Sequence, residues 1–292
     1  MMRALTLCLL CSWLAGCAVN PATGRSDFVM MSERQELDLG ARYNQEILKQ
    51  YPRYEDAKRS SHRNQLNYVF TLVDSPDVNA FALPGGYIYI HRGLLAYLNS
   101  EAELAAVLGH EVGHVTARHS VRQQSQSTAW GLLGQAAAIG TGVGAVGDLA
   151  NVMGNAFVRG YGRDMELEAD GLGAQYLARS GYDPQAMIEV VKVLKSQEDF
   201  AREQAARRGE APTTGGYHGL FDTHPDNDRR LQEVIGPARA LAGGNQEVGR
   251  ERFLQMLNGL VFGDSAASGI RRGRHFYHGE LDFTLSYPQG WQ

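Results

Sequence analysis

The pentapeptide His110-Glu111-Val112-Gly113-His114 constrains this 292-residue chain more than any other feature. Ser100-Glu101-Ala102-Glu103 upstream reads as a capping box. Leu104, Val107, Leu108, Val112 and Val115 follow at helical spacing, which predicts a helix of about 25 residues. Residues i and i+4 project from one helix face, so both imidazoles can reach a single cation. Glu111 then stands beside them, where it can touch a metal-bound water. Gly109 and Gly113 each cost about 1 kcal/mol relative to alanine inside a helix, so another element is expected to pack closely there. His119 lies five residues past His114, about 140° around an unbroken helix, and is expected to point elsewhere.

A tetrahedral catalytic zinc takes three protein ligands and leaves one position open. The three cysteines, Cys8, Cys11 and Cys17, all fall within the first 17 residues. A metal site in the rest of the chain is therefore built from histidines and carboxylates. The better candidate for third ligand is Glu166, on a helix that opens after Gly160. Glu168 competes, but it lies about 200° around from Glu166, so one of the two can face the metal. Asp170, at i+4, shares the face of Glu166 and fits a carboxylate that orients a ligating imidazole. Glu168 is then expected to be a solvated helix charge.

The N-terminus reads as an address. Arg3 precedes an apolar run, Ala4 to Leu14, far short of the ~20 residues that span a bilayer as a helix. A short run behind a positive start is a secretory signal. Leu14-Ala15-Gly16-Cys17 resembles the bacterial lipobox, which implies cleavage after residue 16 and a lipid on Cys17. Ala18, rather than Asp, follows the cysteine, which points to the periplasmic face of the outer membrane of a Gram-negative bacterium. A net charge of −4 and the lack of a long basic run argue against nucleic-acid binding.

Along the chain, 17–31 is expected to be a tether, turn-rich from Asn20 to Ser26. Ser32-Glu33-Arg34-Gln35 is a capping box opening a helix that ends before Pro52. Arg53 to Gln65 is charged and expected as a loop. Tyr68 to Val73, Val78 to Leu83 and Tyr87 to His91 are strand-like, the last two joined by Pro84-Gly85-Gly86, which predicts a small antiparallel sheet. Helices are expected over Leu167 to Ala178, Pro184 to Leu194, Asp228 to Ile235 and Gln246 to Leu260. Arg202 to Tyr217 is expected as a loop. Leu281 to Tyr287 looks like the start of a strand that stops. Residues 142–147 fit GxGxxG without a preceding strand, so no nucleotide site is expected. The Gly- and Ala-rich run from Trp130 to Gly147 is expected as a helical hairpin beside the active site. No tetratricopeptide-type period is present.

HEVGH, with Arg163-x-x-Glu166-x-x-Ala169-Asp170 about 50 residues later, resembles the gluzincin metallopeptidases of the HtpX and CAAX-prenyl-protease family. The lipobox, Asn20-Pro21-Ala22-Thr23-Gly24-Arg25 and Asn79-Ala80-Phe81-Ala82-Leu83-Pro84-Gly85-Gly86 narrow the likeness to its periplasmic lipoprotein branch. The resemblance covers roughly Cys17 to Leu260. It implies an α+β fold, a mostly helical zincin-type domain over 32–262 with a small antiparallel sheet and the HExxH helix. In this reading 1–16 is the signal peptide and 263–292 begins a C-terminal domain that is cut short.

The resemblance further implies one zinc held by His110, His114 and Glu166, with Glu111 as general base. Asn79, Ala80, Phe81 and Ala82 would hold substrate as an added strand. His224-Pro225 with Arg229 matches a further family segment, and the expectation is that His224 gates the open metal position. Implied substrates are unfolded or misassembled outer-membrane proteins, with the outer-membrane assembly machinery as partner. Two departures stand out: Tyr54 to Gln65 is too short and charged for the amphipathic helix that relatives carry there, and the chain ends early. The competing reading is a lipoprotein chaperone or assembly factor with a structural or latent zinc site. An intact Glu111 favours the enzyme, because a purely structural metal has no use for a base beside it.

Overall fold

The computed structural model describes residues 17–50, 53–54, 63, 65–129, 161–207, 209, 227–244, 246–263, 269–279 and 281–288. Three-residue strands β1 (Cys17–Val19) and β2 (Ser26–Phe28) form an antiparallel hairpin. The stretch expected to be a loose tether is therefore folded, because the buried Asn20 closes its turn. Its side-chain carbonyl accepts the N–H groups of Ala22 at 2.9 Å and Thr23 at 3.2 Å.

Helix α1 (Glu33–Gln50) starts at the predicted capping box. Ser32 Oγ accepts the Gln35 N–H at 3.3 Å, and Gln35 Oε1 accepts the Ser32 N–H at 2.9 Å.

Strands β3 (Arg53–Tyr54), β4 (Val69–Val73), β5 (Ala80–Leu83) and β6 (Tyr87–His91) form one sheet in the order β3-β4-β6-β5. The β5–β6 hairpin is antiparallel, turning at Gly85 and Gly86 with φ of 84° and 96°, values that side chains with a Cβ rarely adopt. The sheet as a whole is mixed rather than antiparallel. After β4 the chain crosses to the far edge, forms β5 and returns between the two, so β6 runs parallel to β4 with Val69 opposite Tyr87. Strand β5 is left at an edge among the described residues.

A short helix α2 (Arg92–Leu95) leads to α3 (Glu101–Thr116). Ser100 Oγ accepts the Glu103 N–H at 3.1 Å, while the Glu103 carboxylate turns back to the Asn99 N–H at 2.8 Å. The long helix expected here is interrupted. Ala117 and Arg118 form a turn, Arg118 at φ 56°, and helix resumes over 119–129. The left-handed Arg118 is held from a distance: its side chain donates to Glu36 Oε2 at 2.8 Å and to the Met31 carbonyl at 3.2 Å. Buried Arg63 takes the other Glu36 oxygen at 2.7 Å, so α1 fixes the break.

Helices α4 (Arg163–Arg179), α5 (Ala186–Arg207), α6 (Asn227–Leu241) and α7 (Arg250–Met256) follow. Helix α5 runs through Arg207, so the loop expected from Arg202 begins later, and α7 is shorter than predicted. The main core joins β5 and β6 to α3, α4, α5 and α6 through Ala80, Ile90, Val107, Leu177, Met187 and Val234. Strands β7 (Ile270–Arg272), β8 (His275–His278) and β9 (Phe283–Ser286) form a separate antiparallel sheet. The strand read as the first of a new unit is thus the third of this one. The 130–160 region lies outside the described residues. No described helix is long and apolar enough to cross a membrane.

Candidate metal centre

Helices α3 and α4 cross at glycine. A Cβ built on Gly109 would stand 3.2 Å from the Gly173 carbonyl oxygen, and one on Gly113 would stand 3.0 Å from that of Ala169. The close packing expected at both positions is present, and it lets the two backbones approach until side chains at the crossing share one buried space.

That space holds His110, His114 and Glu166, all buried. His110 Nε2 lies 3.4 Å from Glu166 Oε2, His114 Nε2 lies 3.5 Å from Glu166 Oε1, and the two Nε2 atoms are 2.9 Å apart. Ligand atoms bonded tetrahedrally at about 2.1 Å sit about 3.4 Å from one another, so the donor set fits a zinc-sized cation of the kind that takes imidazole nitrogen and carboxylate oxygen. Glu111, next in sequence to His110, is 1% exposed.

Asp170 reaches His110 Nδ1 at 2.8 Å. Arg230, from α6, grips the same carboxylate twice, Nη2 to Oδ1 at 2.7 Å and Nε to Oδ2 at 2.8 Å, and stands 3.4 Å from Glu166. Burial pushes the Asp170 carboxyl up, but the Arg230 guanidinium and the hydrogen bonds outweigh it and hold Asp170 well below the usual carboxylate range. An ionised carboxylate can only accept, so His110 Nδ1 carries a hydrogen, which leaves Nε2 as the nitrogen a cation in the centre would take. Burial likewise acts against the Arg230 charge, and Asp170 more than restores it, raising the guanidinium above its ordinary value.

The sequence pattern points to Arg229, but the guanidinium at the centre belongs to its neighbour Arg230. Arg229 is half exposed and pairs with Glu233 one turn on, at 2.5 Å. His224 lies outside the described residues. Asn79, Ala80, Phe81 and Ala82 run into and along the edge strand β5. Ala80 and Ala82 are buried, and Asn79 Oδ1 is buried without a hydrogen-bond partner among the described residues.

Two further expectations change. His119 lies outside the donor cluster, but the break at Arg118 turns it back behind His114 until its Nδ1 is 2.8 Å from His114 Nδ1. Glu168 is not a solvated charge. It meets His119 Nε2 at 3.3 Å, Arg122 at 2.8 Å and Asn20 at 2.9 Å. Burial alone would raise its pKa, but the His119 and Arg122 contacts lower it to about 2. His119 itself is pushed below its ordinary value, first by burial. Tyr161 stacks on the His114 ring with centroids 4.0 Å apart, and its hydroxyl pairs with Ser120 at 2.7 Å. Burial is the main reason that hydroxyl sits far above the usual phenol value.

The sequence model of peptidase family M48 matches residues 44–238. The chain is 33% identical over 250 residues to the beta-barrel assembly-enhancing protease of Escherichia coli (strain K12), covering 76% of this chain and 47% of that one. It is 39% identical over 136 residues to the mitochondrial metalloendopeptidase OMA1 of Arabidopsis thaliana, covering 46% of this chain and 27% of that one. With OMA1 of Saccharomyces cerevisiae the figures are 28% over 244 residues, 73% and 67%. The chain spans about half the length of the assembly-enhancing protease it matches.

Proposed function

The chain belongs to peptidase family M48, and from that premise we propose that it is a zinc endopeptidase acting on unfolded or misassembled outer-membrane proteins. The observation that carries the reading is the buried cluster in which His110 Nε2 and His114 Nε2 lie 2.9 Å apart, the first 3.4 Å from Glu166 Oε2 and the second 3.5 Å from Glu166 Oε1. The substrate class follows from the likeness to the assembly-enhancing protease, and the periplasmic, membrane-anchored location from the lipobox ending in Cys17.

In this reading His110, His114 and Glu166 hold the zinc. When bound, zinc polarises a carbonyl and lowers the pKa of water from ~15.7 to about 7. Glu111 accepts the proton of the attacking water on its carboxylate and returns it to the leaving amine nitrogen as the C–N bond breaks. Such a general base contributes typically ~10²–10⁴-fold. Asp170 holds His110 by its Nδ1–H, and Arg230 holds Asp170, so the His110 ring keeps its aim through the cycle. The edge position of β5 supports a substrate lying extended beside Asn79 to Ala82, its backbone paired with the strand. His224 would gate the open metal position.

The test is cleavage of casein or an unfolded outer-membrane protein by wild type, Glu111→Gln and chelator-treated enzyme. The proposal expects loss of cleavage in both controls while Glu111→Gln still takes up one zinc. Cleavage that survives Glu111→Gln would contradict the mechanism, and substrate binding with no cleavage by wild type would favour the assembly-factor reading.

A further inference from the structure

We propose that His119 and Glu168 are positioning residues for His114, and that the N-terminal hairpin completes the same assembly through Asn20. The inference rests on the reading of His114 as a metal ligand. It assigns a role to the two side chains that the break in the long helix brings together.

His114 Nε2 faces His110 and Glu166, so a ligating His114 leaves Nε2 with its lone pair and carries its hydrogen on Nδ1. That Nδ1 is 2.8 Å from His119 Nδ1. Two imidazole nitrogens at this distance need one donor and one acceptor, so His119 accepts. His119 then carries its own hydrogen on Nε2, which lies 3.3 Å from Glu168 Oε2. The direction of every bond is fixed from the metal outward, ending on a carboxylate.

His110 reaches its carboxylate, Asp170, directly; His114 reaches Glu168 through one interposed ring. The two rings meet nearly edge-on, centroids 4.8 Å apart at 74°, a geometry that aims nitrogen at nitrogen rather than stacking faces.

Glu168 is itself placed. Arg122 donates to Oε2 at 2.8 Å and Asn20 Nδ2 to Oε1 at 2.9 Å. The Asn20 carbonyl already closes its own turn, so the amide cannot flip, and its nitrogen must serve Glu168 and Asp27, each at 2.9 Å. The hairpin that begins at Cys17 is thereby connected through three side chains to a ligand of the centre.

The experiment measures zinc affinity by chelator competition, beside thermal unfolding of the metal-free protein, for wild type, His119→Leu, His119→Asn, Glu168→Gln and Asn20→Ala. His119→Leu is expected to weaken zinc binding about 10–100-fold. His119→Asn, whose carbonyl can stand where Nδ1 stood, is expected to restore most of that loss. Glu168→Gln is expected to cost about tenfold, and Asn20→Ala a smaller, measurable part. A purely structural role would lower the melting temperature of all variants without separating Asn from Leu.

Should His119→Leu fail to fold, His119→Asn and Glu168→Gln decide by the same readout. Zinc affinity unchanged within twofold in His119→Leu or Glu168→Gln, or equal loss in both His119 variants, would overturn the inference and leave the zinc reading standing. A wild-type protein that takes up no zinc would overturn the reading beneath it as well.

Discussion

Replacing Gly113 with alanine tests the packing on which the centre depends. The added methyl would sit 3.0 Å from the Ala169 carbonyl oxygen and 3.1 Å from its Cα, where ordinary contact begins near 3.4 Å. Both atoms belong to the backbone of a buried helix, so neither can swing aside, and α4 must retreat by about 0.4 Å. Glu166 lies one turn before Ala169 on α4 and retreats with it. Metal–ligand distances tolerate about 0.2 Å, so the shift strains the centre more than the fold. In stability, alanine gains about 1 kcal/mol of helix propensity and overpacking costs about 1–3 kcal/mol, which leaves the metal-free protein between unchanged and about 2 kcal/mol less stable. Zinc affinity is expected to fall about tenfold, some 1.4 kcal/mol. Gly171, on α4 itself with nothing within 4 Å, is the control: Gly171→Ala gains about 1 kcal/mol and leaves zinc binding alone. Urea unfolding and chelator competition on the two variants read both numbers. Equal stability and equal affinity for Gly113→Ala and Gly171→Ala would refute the argument that the helix crossing sets the ligand geometry.

Arg230→Met strands the Asp170 carboxylate in a site where both side chains are 2% exposed, and is expected to cost about 3–5 kcal/mol by urea unfolding; a loss under 1 kcal/mol would contradict the pairing. Acid sensitivity follows from the same carboxylates. Asp170 and Glu168 have folded pKa values below their unfolded ones, so their stabilisation is complete above the ordinary carboxylate range near 4 and drains away as pH falls, for Glu168 through about 2. The urea midpoint of the metal-free protein should therefore drop steeply below pH ~4, and Glu168→Gln should flatten that slope; identical slopes would count against the Glu168 contacts.

Elements with a local cause were legible in the sequence. The Ser32 capping box forms in full, Ser100 caps its helix while Glu103 returns to the N–H of Asn99 rather than of Ser100, Pro84-Gly85-Gly86 makes the hairpin turn, and the two glycines of the HEVGH helix lie where another backbone touches. The i, i+4 spacing that puts His110 beside His114 and Glu166 beside Asp170 is helix geometry, and the two helices that carry them are regular; that the two pairs share one metal is what the family resemblance implies. The misses share a cause at a distance. Ala117-Arg118-His119 contains no glycine, asparagine or proline to announce a left-handed residue; the break is imposed by Glu36, 82 residues upstream of Arg118. The places of His119 and Glu168 follow from that break: an unbroken helix would carry His119 away from His114 and leave Glu168 without its imidazole partner. Arg229 and Arg230 differ by about 100° on one helix, and which of them turns inward depends on how α6 meets α4. The parallel pairing of β4 with β6 likewise depends on which side of β4 the hairpin docks, a choice that tight links do not decide.

The most direct test of the central claim is the zinc-edge absorption spectrum of the purified chain, read with metal content and repeated on Glu166→Gln and His114→Ala. The account predicts one zinc per chain, bound by two imidazole nitrogens and carboxylate oxygen, with the matching scatterer lost in each variant. A wild-type spectrum without two histidine ligands, or one unchanged by either substitution, would contradict it.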